Sequence, residues 1–282
     1  MTILVTGGRG KTGIALSKLL HEAKLPFVIA SRSGQAPAPY KAVTFDWTDP
    51  TTYENPFKAD PNIDRIYVVG PEGVYDALPA VKPFINFART KGVKRFVLLS
   101  ASQLEAGTPF LGTVHQYLID IGVEYAVLRP TWFQQNFGAS FLGAIRDSNQ
   151  TFSATGEGRI PFVSTEDIAQ IALEALTAEP SLNKDILVFG PELFSHDEVA
   201  KLFSSILGRE ITHMKISIEA LEKIFAGFGV SQQYAEGYAS MENNVSLGLE
   251  EKLFNSIDRQ KYIGKHTLEE YIKAHRDLWI KQ

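Results

Sequence analysis

The sequence predicts an α/β protein, a doubly wound parallel sheet joined to a smaller, mostly helical lobe, and three observations predict it. Apolar runs of strand length alternate with amphipathic stretches of helical period from Ile3 to about Ile211. The run Phe96-Val97-Leu98-Leu99 is continuously apolar, as a parallel strand covered on both faces must be. The chain opens on strand, glycine-rich turn, helix and strand, the order of a βαβ unit.

That opening unit is the most informative stretch. Ile3-Leu4-Val5 runs into Thr6-Gly7-Gly8-Arg9-Gly10-Lys11-Thr12-Gly13, and Ile14, Leu16, Leu19 and Leu20 follow as a helix's apolar residues. Gly8, Gly10 and Gly13 fit G-x-G-x-x-G, while Gly7, Gly10 and Gly13 fit G-x-x-G-x-x-G. Such a loop turns tightly, lets its backbone approach a pyrophosphate, and points the amides of a helix N-terminus at it. The unit therefore reads as Rossmann-like, with Gly7, Arg9, Gly10, Lys11, Thr12 and Gly13 at a dinucleotide cofactor. Gly10-Lys11-Thr12 also looks like the end of a triphosphate-binding loop, but that motif needs a glycine where Val5 stands inside the strand.

The second strand, Pro26 to Ala30, bears on the choice of cofactor. An NAD site places an acid near the end of this strand to accept from the ribose 2′-hydroxyl, and no acid lies between Lys24 and Ser33. Arg32 can pair with a 2′-phosphate, Ser31 can add a hydroxyl, and Arg9 can reach the same group. The expected cofactor is NADPH.

Composition narrows the class of protein. With 282 residues, 44% hydrophobic and 21% charged, the chain can bury a large core as a soluble α/β protein. A net charge of −4 with no basic cluster argues against nucleic acid. No cysteine is present, which excludes disulfides, thiolate catalysis and Cys-ligated zinc. The first strand begins at once and no apolar run reaches membrane-spanning length, so a cytoplasmic protein without a membrane partner is expected. A homodimer is left open.

Past the first unit, Ala42 to Trp47 reads as a third strand ending at Asp46. Ligands of doubly wound sheets lie outside the strands' carboxyl ends, so Asp46 and Trp47 either face the adenine or, for Asp46, cap the following turn. Arg65 to Val69 is a fourth strand, after which Gly70 would let the backbone approach the ribose. A helix over 80–90 leads to the fifth strand, Arg95 to Leu99, followed by Ser100-Ala101-Ser102. Thr113 to Ile121 reads as a helix and Glu124 to Leu128 as a sixth strand. β character returns over 151–164, a helix over 165–177, and a seventh strand at Ile186 to Gly190. Ser-His-Asp-Glu from Ser195 is a capping box that opens a helix with Val199, Leu202, Phe203 and Ile206 as its apolar face. The rest is mostly helical, with a further strand at Ile211-Thr212-His213. This divides the chain into a dinucleotide-binding part over 1–150, its sheet completed at about 185–190, and a substrate lobe over 151–282.

The sequence offers few acid–base groups. No tyrosine has lysine four residues on, so the proton-relay pair common to short-chain reductases is missing. Ser100 and Ser102 stand where a polar contact to cofactor or substrate would follow the central strand, and Ser102 is a candidate catalytic residue. His115 shares its helix face with Leu111 and Leu118, and is either a satisfied core histidine or a proton donor and substrate contact. Trp132 and Phe133 either wall the substrate or pack a core. The six histidines show no metal-binding spacing, and no G-x-S-x-G elbow exists, so neither a metal site nor a serine hydrolase is expected.

TGGRGKTG, the ASRS after the second strand, FDW, RFVLLSAS, LRPTWFQQN, GEGRIPFVSTEDIA and GPELFSHDEVA together resemble the NmrA-like atypical short-chain reductases. More narrowly they resemble the fungal festuclavine and agroclavine dehydrogenases of ergot alkaloid biosynthesis, a likeness covering residues 1–210 and fading beyond. The resemblance implies NADPH-dependent reduction of a cyclic iminium, an alkaloid intermediate, to an amine. An iminium carbon is already electron-poor, so hydride transfer needs no acid, which suits the missing pair. Trp132 and Phe133 would hold the cation by their rings, with Asn136 nearby, and Glu105 would balance its charge if its loop folds inward. Two other readings stay open. One is a non-catalytic NADP(H)-sensing regulator; the other is a quinone or aromatic carbonyl reductase whose proton comes from Ser102 or His115.

Overall fold

A computed structural model describes residues 1–281. In chain order, β1 (Thr2–Thr6), α1 (Lys11–Glu22), β2 (Phe27–Ser31), β3 (Ala42–Thr44), α2 (Asn55–Ala59) and β4 (Ile63–Val69) come first. They are followed by α3 (Leu78–Thr90), β5 (Arg95–Leu99), α4 (Gly112–Asp120) and β6 (Glu124–Pro130). The main sheet has eight strands, and in it β3, β2, β1, β4, β5 and β6 lie side by side in that order. Each of these pairs is parallel, with Leu4 opposite Val28 and Ile66, and Val97 opposite Tyr67 and Ala126. The expected doubly wound parallel sheet is therefore present.

The remaining elements are α5 (Leu142–Ser148), β7 (Gln150–Ser153), α6 (Thr165–Thr177), β8 (Lys184–Phe189), α7 (His196–Leu207) and β9 (Thr212–Lys215). After them come α8 (Ile218–Gly227), α9 (Gln232–Ser246), α10 (Leu249–Asn255), β10 (Lys261–Ile263) and α11 (Leu268–Ala274). In the main sheet β8 follows β6, and β10 pairs in parallel with β8 at its edge. The three-residue β10, with Ile263 half exposed, is too short and too weakly apolar to be read from sequence. β9, expected near Ile211, pairs in parallel with β7 as a separate two-stranded sheet.

The chain forms two compact units, Met1–Arg129 with Ile168–Ile186, and Pro130–Asp167 with the chain from Leu187 onward. The sequence reading placed a division at 150, whereas the chain leaves its first unit at Arg129 and α6 returns to it. The return has a physical reason. Ile168, Ala169, Ala172, Ala175 and Leu176 make one buried face of α6, and Arg95, 1% exposed, donates to the carbonyls of Leu176 at 3.1 Å and Ala178 at 2.6 Å. Arg65 also donates to Leu176 O, so two guanidinium groups satisfy carbonyls that a helix C-terminus leaves open.

The first unit buries α1 through Gly13, Leu16, Ser17 and Leu20, while Ile14 is 43% exposed and Leu19 half-buried. The buried face is thus rotated toward the small residues, because Gly13 and Ser17 let the helix lie close to the strands. β3 stops at Thr44, short of the expected Trp47. Phe45 and Trp47 turn inward to an aromatic cluster, their rings 4.5 and 5.6 Å from Phe84, and Trp47 Nε1 donates to Val69 O at 3.1 Å. In the second unit the capping box of α7 forms as expected. Ser195 Oγ accepts from Glu198 N at 3.2 Å, and Glu198 Oε2 accepts from Ser195 N at 2.8 Å.

Candidate active site

The glycine loop is built from the end of β1. Thr6 Oγ1 donates to Tyr67 O and accepts from Val69 N, each at 2.8 Å, which ties β1 to β4 where the loop begins. Gly7 turns with φ +62°, and a Cβ there would stand 2.8 Å from Val69 Cβ. A Cβ on Gly13 would meet Gly7 O at 2.6 Å and Gly8 Cα at 2.8 Å, whereas one on Gly10 would meet Gly7 O alone, at 3.1 Å. Gly7 and Gly13 are therefore dictated by the fold itself. At Gly10 the clash is milder though still tight, and the bare backbone there is open to a ligand's approach. No side chain caps α1 and its own first turn holds no acid, while Glu72 lies near enough to act on the charge of Lys11. This cradle fits a pyrophosphate.

The end of β2 lies against this loop. Arg9 Nη1 donates to Ser33 Oγ at 3.1 Å, so Arg9 and the exposed Arg32 share one region. Hydrogen bonds from the Thr48 amide and hydroxyl hold the Asp46 carboxyl below its ordinary range, with attraction from Arg32 added. Asp46 thus closes a turn, at 2.8 and 2.7 Å from Thr48 N and Oγ1, and stands beside Arg32. Other expected contacts prove occupied by the fold. Ser31 Oγ donates to Gln35 O at 2.9 Å, and Trp47 is 9% exposed within the aromatic core, leaving little ring for an adenine. A Cβ on Gly70 would meet Leu111 Cδ2 at 2.7 Å, the movable end of a side chain just before α4, so packing alone does not dictate this glycine.

At the carboxyl ends of β5 and β6, Ser100 and Ser102 are buried, and the Ser100 hydroxyl has no hydrogen-bond partner. Ser102 O accepts from Arg129 Nη2 at 2.5 Å. The same Nη2 donates to Glu105 Oε1 at 2.8 Å, and Nη1 donates to Glu105 Oε2 at 3.0 Å and Asp185 Oδ2 at 2.6 Å. Glu105 is committed to this bidentate pair, which corrects the expectation that it balances a substrate's charge. His115 is buried and its Nδ1 has no partner. Burial holds the imidazole below its ordinary value; Asp185 opposes that, Arg129 adds to it, and Glu105 opposes it. His115 is thus a neutral ring with an unused acceptor or donor, not a fully satisfied core histidine.

Arg129 was missed as a site residue, although an arginine closing an apolar strand run was a signal that could have found it.

In the second unit, Trp132 to Gln134 is held extended against Val163. Val163 N donates to Trp132 O at 3.0 Å and Gln134 N to Val163 O at 2.9 Å. Trp132, Phe133 and Asn136 are half-buried, and Trp132 packs against the cluster of Phe137, Phe162 and Phe203. The Trp132 indole also hydrogen-bonds toward the Tyr238 hydroxyl. Tyr238 lies on α9 with Glu242, which is 5% exposed and accepts from Ala154 N at 2.7 Å. Ala235, Ala239, Glu242 and Val245 form the buried stripe of α9, so a carboxylate in an apolar stripe was the signal available in the sequence. Among the described residues no group of His, Cys, Asp and Glu could hold a metal ion, and no helix is long and apolar enough to cross a membrane.

A parallel sheet whose first βαβ unit presents a glycine-lined, uncapped helix N-terminus defines an α/β protein of the dinucleotide-binding class. Within that class the chain belongs to the NmrA-like family, which it matches over residues 1–272. It is 39% identical over 287 residues to the agroclavine dehydrogenase of Claviceps fusiformis, covering 99% of each chain. It is 41% identical over 288 residues to festuclavine synthase I of Penicillium roqueforti, covering 99% of this chain and 100% of that one. A crystal structure of Citrobacter sp. triphenylmethane reductase complexed with NADP(H) has a TM-score of 0.73 at 23% identity, covering 96% of this chain and 99% of that one. This last likeness is one of fold.

Proposed function

We propose that the protein is an NADPH-dependent oxidoreductase that reduces the C=N bond of a cyclic iminium, of the clavine-type alkaloid kind, to an amine. The observation that carries this reading is the end-to-end similarity to agroclavine dehydrogenase and festuclavine synthase I. Features of the site support it. Gly7 to Gly13 and the start of α1 would hold the pyrophosphate, and Arg9 and Arg32 the 2′-phosphate. Ser100, with its unpartnered buried hydroxyl at the end of β5, is a further polar contact. NADPH, when bound, supplies a hydride.

The chain's own work is then to bind the substrate, orient its electron-poor carbon and exclude water. No proton has to be delivered to such a carbon, in keeping with the missing Tyr and Lys pair. Trp132 and Phe133 would present ring faces to the cation. Purified protein should oxidise NADPH when given a cyclic N-alkyl iminium, followed by the loss of NADPH absorbance; no turnover with any cyclic iminium overturns the reading. Arg32→Asp should weaken NADPH binding by about 2 kcal/mol through lost pairing and added repulsion. Equal affinity of the unaltered protein for NADH and NADPH would defeat the cofactor assignment.

One observation favours a second reading. The neutral His115 imidazole, whose Nδ1 has no partner, would relay a proton taken from solvent to the substrate oxygen, as reduction of a quinone or aromatic carbonyl requires. On that reading His115→Ala costs about tenfold or more in rate, whereas iminium reduction tolerates the change. Tight cofactor binding with no hydride transfer to either substrate would instead indicate an NADP(H)-sensing regulator.

A further inference from the structure

We propose that Glu242 is the group through which the second unit recognises a positive charge on its ligand, with Tyr238 and Trp132 as the aromatic walls beside it. The inference deepens the proposed iminium reduction and rests on it for the identity of the cation. Glu105 is less suited to this part because both of its oxygens already accept from Arg129. Another buried acid of the second unit, Asp167, 1% exposed, meets a titratable ring, His266 Nδ1 at 2.8 Å. Glu242 differs. Among the described residues no Lys, Arg or His pairs with it, and the hydrogen bond it accepts comes from the Ala154 amide.

Its surroundings make that solitude costly. Ala154, Leu221 and Ala239 form a small apolar cluster there, with Phe225 packed against it. The Phe225 ring in turn lies 4.2 Å from that of Tyr238. Tyr238 precedes Glu242 by one helical turn, so both side chains lie on one face of α9. Burial pushes the Glu242 carboxyl up to about 7. A carboxylate without a counter-charge in such a place is unfavourable, and a cation brought in by a ligand relieves it. The rings of Tyr238 and Trp132 add attraction for the same charge. The charged and titratable groups facing this carboxyl are Tyr238 and, beyond it, Tyr234.

The test is a titration of the full chain, loaded with NADP⁺ so that no turnover occurs, with two probes of matched shape. One is the N-methyl dihydroisoquinolinium ion and the other is neutral dihydronaphthalene. Glu242→Gln, which keeps an acceptor for the Ala154 amide, should weaken the cation by about tenfold or more and leave the neutral probe unchanged. Glu242→Asp should restore part of the loss. In the unaltered protein the cation should bind more tightly as pH rises from 6 to 8 while the neutral probe does not change, a measurement that decides the matter even if Glu242→Gln fails to fold. Equal binding of the cation by unaltered protein and folded Glu242→Gln, or a flat pH profile, overturns the proposal. Reduction of the same ion with NADPH is measured separately. Turnover with charge-independent binding would sink Glu242's role alone, and charge-dependent binding without turnover would sink iminium reduction alone.

Discussion

Two buried charges, one in each unit, are treated in opposite ways. In the first, Arg129 is 1% exposed and spends four hydrogen bonds on Glu105, Asp185 and Ser102 O. In the second, Glu242 is 5% exposed and meets a single backbone amide. The Arg129 cluster pins the segment after β5 to β6 and β8, so its charges are consumed in architecture. The Glu242 carboxyl is left with its charge unanswered, and the fold resists its ionisation. Burial alone does not say what a charge is for; its partners do.

Breaking the first arrangement should have the larger effect. Arg129→Leu strands two carboxylates that are 46% and 36% exposed at their side chains, and should destabilise the fold by about 3 kcal/mol, the low end for a broken buried pair because both acids keep some water. Urea unfolding at neutral pH measures this. An unchanged midpoint would mean that the cluster is idle.

Glu242→Gln should act in the other direction. The carboxyl titrates at about 7 in the folded chain and near 4.5 when unfolded, so the folded state holds its proton more tightly. That contribution to stability is fully present below pH 4.5 and is lost as pH rises through about 7. The variant should therefore be more stable than the unaltered protein above pH 8, by up to about 3 kcal/mol, with the gap closing toward acid. Unfolding curves across that range would refute the claim if the gap were constant. The smallest effect should come from His115→Leu, which removes a buried imidazole with an unpartnered Nδ1 and leaves similar volume; stability should change by less than about 1 kcal/mol. A larger loss would place His115 among the architectural charges with Arg129.

Much of this was readable beforehand, and for local reasons. The tight turn of the first loop and the Ser195 capping box are each decided within a few residues, and each forms as expected. The readings that shifted depended on distant partners. Trp47 was placed near the adenine, but its indole bonds to Val69 O, 22 residues away. Glu105 was assigned to a substrate, but Arg129 claims it from the end of another strand.

By itself, then, the sequence determined the parallel α/β class, the glycine-rich turn after β1 and the membership of the NmrA-like family, because periodicity, turn chemistry and motif spacing act over short stretches of chain. Only the tertiary structure decided which buried charges are answered. Arg129 and Asp185 stand 56 residues apart and Ala154 and Glu242 stand 88 apart, and no local pattern can tell a carboxylate with a counter-charge from one without.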